Sequence, residues 1–131
     1  MDQITPEQLN TLAQQFLDMG NAILSYRENN QAIIGDNDAD LEITQNELLD
    51  KAGQLAMLSA IASGPAAATA ISKLIAVNVQ ITGTIKNLAE VQQVIDIASA
   101  ALKVVTSVIS LNANDIIDSI GGLSTACGIT I

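Results

Sequence analysis

Five carboxylates fall within residues 36–47, at Asp36, Asp38, Asp40, Glu42 and Glu47. Alternate acidic side chains in a curling loop bring oxygens together on one hard cation, and a longer carboxylate further along closes the coordination sphere. Little else in the chain offers chemistry. There is no His and a single Cys127, which excludes Ser–His and Cys–His nucleophilic pairs and zinc sites of the usual kind. Gly-rich phosphate loops and a Gly-x-Ser-x-Gly elbow are also missing. Lys73, Lys86 and Lys103 stand among apolar residues. A buried lysine can serve as a nucleophile, but a stem laid along the core with the ammonium in water is the expected arrangement. Cys127 has no basic neighbour in sequence to make it a thiolate. The residue types therefore predict a protein without catalytic residues or a cofactor.

The acidic stretch resembles the EF-hand calcium loop. Asp36, Asp38 and Asp40 match its first three ligand positions, Glu42 the backbone-carbonyl position, Ile43 the apolar eighth and Glu47 the bidentate twelfth. The resemblance implies a calcium site flanked by two helices. It departs at the sixth position, where the family has Gly and this chain has Leu41. A bulky side chain at positive φ costs roughly 1 to 2 kcal/mol. Read without the resemblance, the same residues form an acidic connector that favours the N-terminus of the next helix.

Elements to hold such a loop are readable on both sides. Thr5, Pro6 and Gln8 spell a helix start, with a hydroxyl to accept a backbone N–H, Pro at the first helical position and Gln three after the cap. Leu9, Leu12, Phe16, Met19, Ile23, Tyr26 and Ile33 then form an amphipathic stripe, ending between Arg27 and Ile34. Thr44 and Glu47 read as a second capping box, followed by Leu48, Ala52, Leu55, Leu58 or Met57, and Ile61, with Ser63, Gly64 and Pro65 as the stop.

From Pro65 onward, Leu74, Val77, Ile81, Thr84, Leu88, Val91, Ile95, Ala98, Leu102, Val105 and Ile109 alternate spacings of three and four. That is a heptad seam, the signature of long helices packed at shallow angles. Gly83 either breaks the seam or only weakens it, and residues 77–82 also fit a strand period, with a hairpin at Gly83 as the second reading. Asn112, Ala113 and Asn114 end the seam, a short acidic-capped turn runs to Ile120, and Gly121 and Gly122 stop it. The expected fold is all-α: a single domain over residues 1–131, an antiparallel bundle of four to five helices with long heptad-patterned C-terminal helices.

A second stripe, Val94, Ile97, Ala101, Val104, Val108 and Leu111, runs beside the first. Exposing it to water is unfavourable by about 25 cal/mol per Å², so Val94, Ile97, Val104, Val108 and Leu111 are the expected contact surface for a second copy or another helical protein. Charge is equally uneven. Residues 1–50 carry ten acids and only Arg27, whereas residues 51–131 balance four lysines against four acids, so the whole net charge of −9 sits in the first part. Such a chain repels a phosphate backbone, which argues against nucleic acid. Residues 52–72 carry no formal charge and are long enough to span a bilayer. A packed soluble hairpin fits their Gly64, Pro65 and polar residues better, although the small residues leave a resemblance in general architecture to α-helical pore-forming toxins. No secretory signal opens the chain, so cytoplasmic residence is the default and export by another route stays open. The expected role is that of a helical interaction or assembly module, with a calcium-binding domain and a membrane-active protein as alternatives.

Overall fold

The computed structural model describes residues 3–58, 61–62, 65–87, 90–110 and 112–128. It is an all-α bundle. The elements are β1 (Gln3–Ile4), α1 (Pro6–Asn29), the single turn α2 (Gln31–Ile34), a 3-10 turn (Gly35–Asn37), α3 (Asp38–Leu55), β2 (Ile61–Ala62), α4 (Pro65–Asn87), α5 (Val91–Ser110) and α6 (Ala113–Cys127). The five long helices close a ring in the order α1, α3, α5, α6, α4, and α1 also reaches across to α5.

The capping box at Thr5 forms in both directions. Thr5 Oγ1 accepts from the Gln8 amide at 3.1 Å, and Gln8 Oε1 accepts from the Thr5 amide at 3.0 Å. The stripe behind it is buried from Leu9 to Tyr26, but Ile33 is 62% exposed, and Ile34 takes the inward place. The chain turns at Asn30, whose Nδ2 donates to the Tyr26 carbonyl, and this rotates the following turn away from the stripe.

Direction within the ring follows from the pins between helices. Arg27 of α1 bonds Asp38 and Glu42 at the start of α3, while Gly20 lies against Leu49 further on, so α1 and α3 are antiparallel. An added Cβ at Gly20 would sit 2.6 Å from Leu49 Cδ2, so the glycine permits the close approach. In contrast, Gln8 donates to Ser72, and Gln15 donates to the Ile75 carbonyl and accepts from Asn78, so α1 and α4 run parallel. The antiparallel pairing of β1 with β2, Gln3 opposite Ala62 and Ile4 opposite Ile61, brings the starts of α1 and α4 together at one end. Both helices spring from this bridge within a few residues, and each opens with a proline, Pro6 or Pro65.

Several boundaries differ from the sequence expectation. The second capping box does not form, because α3 already begins at Asp38 and Thr44 Oγ1 bonds the Asp40 carbonyl in mid-helix. Asp38 and Asp40 in the first turn complement the helix dipole. Leu41, Gln45, Leu48, Ala52 and Leu55 then supply a continuous buried stripe. That helix ends at Leu55, and Ile61, expected on its stripe, pairs in β2 instead. Residues 52–72 are thus no continuous span. Gly83 interrupts nothing: α4 is helical through residues 77–82, against the hairpin reading, since Ala67, Ile71, Leu74, Asn78, Ile81 and Ile85 bury one heptad face. Val77 and Thr84, placed on that seam from sequence, are half-buried at its edge. Helix α6 contains Gly121 and Gly122, expected to stop it, held helical by buried Ile116, Ile120, Leu123 and Cys127, and it stops at Gly128 with φ +67.

The largest correction concerns α5. Val94, Ile97, Val104 and Val108, expected to face a partner, are fully buried with Ala98, Ala101 and Val105 inside the ring. The half-buried residues are Val91, Ile95, Leu102 and Ile109 of the first seam. Two equal stripes leave the outward one undetermined by spacing alone, and the ring turned the helix the other way. Leu88 and Leu111 lie outside the described residues. A glutamine at Val104 therefore does not free an oligomer contact. It buries an amide among aliphatic side chains, and chemical denaturation should show a stability loss of about 3 kcal/mol for Val104→Gln.

Candidate functional site

The acidic stretch is helical, not a loop. Asp36 lies in the 3-10 turn and Asp38, Asp40, Glu42 and Glu47 lie on α3, so a rising helix separates carboxylates that a calcium loop would wrap around one ion. Asp40 and Glu47 point to solvent. Among the described residues no group of three or more His, Cys, Asp or Glu side chains is placed to hold a metal ion. The EF-hand resemblance therefore does not extend to structure. Leu41 explains the outcome: where the family's Gly bends the loop, this side chain is buried in the core and carries the helix through.

Asp38 and Glu42 are claimed by Arg27. Its Nε and Nη2 donate to the two oxygens of Asp38 at 2.8 and 3.1 Å, Nη2 also donates to Glu42 Oε2 at 2.8 Å, and Nη1 donates to Gln45 Oε1 at 2.7 Å. The guanidinium side chain is only 12% exposed. The forked, charge-assisted bonds hold the Asp38 carboxyl below its ordinary range, chiefly through the hydrogen bond from Arg27, and raise the guanidinium in turn. The same fork explains why Gln45 can be buried. A lone cation among ten acids was the signal in the sequence.

Other groups with chemical potential are enclosed. Burial pushes the Cys127 thiol up to about 11, which leaves it protonated and a poor nucleophile near neutral pH. Tyr26 is also raised by burial, and its hydroxyl has no hydrogen-bond partner among the described residues. Asn78 is fully buried, donating to Gln15 while its Oδ1 finds no partner among the described residues. Lys73 and Lys103 are exposed, where stems laid along the core with the ammonium in water were expected, and the side chain of Lys86 lies outside the described residues.

Two open grooves flank α6. The one toward α5, about 480 Å³, sets Lys103 among Asp96, Asp115 and Asp118. The one toward α4, about 620 Å³, is lined by Ala66, Ala70, Ile117, Ile120 and Gly121 together with the polar Thr69 and Ser124, and Lys73 is the sole charged residue among its described lining. Ile117 is 37% exposed there while Ile120 forms the floor at 3%. Nothing stands within 4 Å of a Cβ built at Gly121, so the helix surface is low at that point. Sequence reasoning missed this groove because it took Gly121 and Gly122 as a stop. The spacing of Ile116, Ile120, Leu123 and Cys127 was the available signal.

Among the described residues Val91–Ser110 is the one helix long and apolar enough to cross a membrane, with 44% of its apolar window buried in the bundle. No protein-family model matches the chain, and no curated protein or solved structure matches it either.

Two outcomes test this picture. The depressed Asp38 carboxyl contributes stability above the unfolded-state value of about 3.9, and that contribution is lost as pH falls through the lower folded value. Asp38→Asn should therefore melt several degrees lower at pH 7, with the difference from the parent shrinking below about pH 4. Calcium should leave the melting temperature where a chelator leaves it, since a ligand that bound only the folded state would raise it.

Proposed function

We propose that the protein is a non-catalytic helical interaction module that seats an acidic amphipathic helix in the groove between α4 and α6. The observation that carries this reading is the groove itself: an open, mainly apolar channel of about 620 Å³ whose sole charged residue among the described lining is Lys73. Helix-in-groove recognition needs apolar residues of the partner to enter such a channel and polar ones to rim it. Ile117 and Ile120 supply the apolar contact, Gly121 admits a partner side chain, and Lys73 selects an acidic neighbour. The groove toward α5 fits such a partner worse, because three carboxylates line it against one lysine. An α-helical partner is the reading that moves from the α5 stripe, now accounted for as core, to the face that stays open.

The test is a titration of the isotopically labelled protein with an acetylated, amidated amphipathic peptide carrying a leucine stripe flanked by glutamates. Backbone resonances of Ala66, Ala70, Lys73, Ile117 and Gly121 should shift, with those around Lys103 unmoved. Shifts absent at millimolar peptide, or spread evenly over the surface, would overturn the reading.

A further inference from the structure

The partner with the right chemistry is present in the chain itself. On the outer side of α3, Asp40, Ile43, Glu47 and Asp50 follow at spacings of three, four and three, which places them on one helical face. Ile43 is 57% exposed, and the three acids around it are exposed as well. This is an apolar residue rimmed by carboxylates, the complement of an apolar channel rimmed by Lys73. Arg27 spends its charge on Asp38 and Glu42 on the inner side of α3 and leaves these three acids without a cation among the described residues.

Position in the ring makes the two surfaces compatible. In the cyclic order α1, α3, α5, α6, α4, the helix α3 stands across from the α4–α6 edge. One molecule can therefore use its groove and its ridge at once. We infer that the α4–α6 groove of one copy receives the outer face of α3 from a second copy, Ile43 entering beside Ile117 and the carboxylates of Glu47 and Asp50 meeting Lys73. This rests on the groove being a helix seat. The contact is heterologous, since groove and ridge are different surfaces, and it repeats head to tail into a ring or filament instead of closing at two copies.

Light scattering after size exclusion on the full chain tests it. The mass should rise above 13.6 kDa as concentration increases. Lys73→Glu should abolish the rise by spoiling the groove, and Glu47→Lys with Asp50→Lys should abolish it by spoiling the ridge. All three positions are exposed, and circular dichroism checks that helicity is retained. Mixed in equal amounts, the two variants should recover growth as an alternating assembly, since the acidic ridge of the first meets the unchanged groove of the second and the lysine ridge of the second meets the glutamate groove of the first. Placing Lys73→Glu, Glu47→Lys and Asp50→Lys in one polypeptide should restore growth with the charges exchanged. A wild-type chain that stays monomeric at about millimolar concentration, or variants that fail to pair on mixing, would overturn the inference. If the acidic peptide still shifts the groove resonances in that case, the helix seat stands and only the identity of the occupant is wrong.

Discussion

Register in this bundle depends on two polar contacts made by α1. The core is aliphatic, with aromatics at 2% of the chain, and aliphatic residues of similar volume substitute for one another with small cost. Such surfaces tolerate sliding by a helical turn. Hydrogen-bonding groups do not, because an amide or guanidinium moved out of alignment is left buried without a partner. Arg27 aligns α1 with α3 through Asp38, Glu42 and Gln45, and Gln15 aligns α1 with α4 through Asn78 and the Ile75 carbonyl. Both fully or nearly buried polar residues of the described core, Gln45 and Asn78, belong to these contacts. A buried Asn within a heptad face is a known device for fixing register at a cost in stability.

The acidity of the first fifty residues reads differently once Arg27 is placed. On the inner side of α3 two carboxylates are consumed in the clamp, and on the outer side Asp40, Glu47 and Asp50 remain for solvent or for a contact with another molecule. The same helix thus carries a structural charge pair and a free charged face, separated by its own periodicity. The neutral remainder of the chain shares the apolar interior with α1 and α3, and two of its lysines, Lys73 and Lys103, stand one in each groove beside α6.

What could be read from the sequence follows the strength of each local signal. The helix start at Thr5 was legible because cap, proline and Gln8 agree, and the α1 stripe because its face is one-sided. Spacing also gave the long helices, since Leu74, Ile81, Ala98 and Val105 are all core. It failed where two answers shared one pattern. A helix apolar around most of its circumference has no unique inward face, so α5 was turned the wrong way. Acids spaced by two suit a loop as sequence, but a buried Leu41 among them makes the run a helix. Asn78 was passed over because Asn is ordinarily exposed, and its burial depends on Gln15, far away in the chain. The α4–α6 groove was illegible for the same reason: it exists only between helices whose adjacency no local pattern states.

The parallel pairing of α1 with α4 has a consequence for how the molecule comes together. Helices α1 and α3, and α5 and α6, are joined by short connections and can zip as local hairpins. Helix α4 has no such neighbour, since its flanks are α1 and α6, and the Gln15–Asn78 contact joins residues 63 apart in the chain. Its docking must therefore bear the loop-closure entropy of the whole ring, and contacts of this separation slow folding. Docking α4 thus closes the ring at a larger entropic cost than forming either hairpin alone.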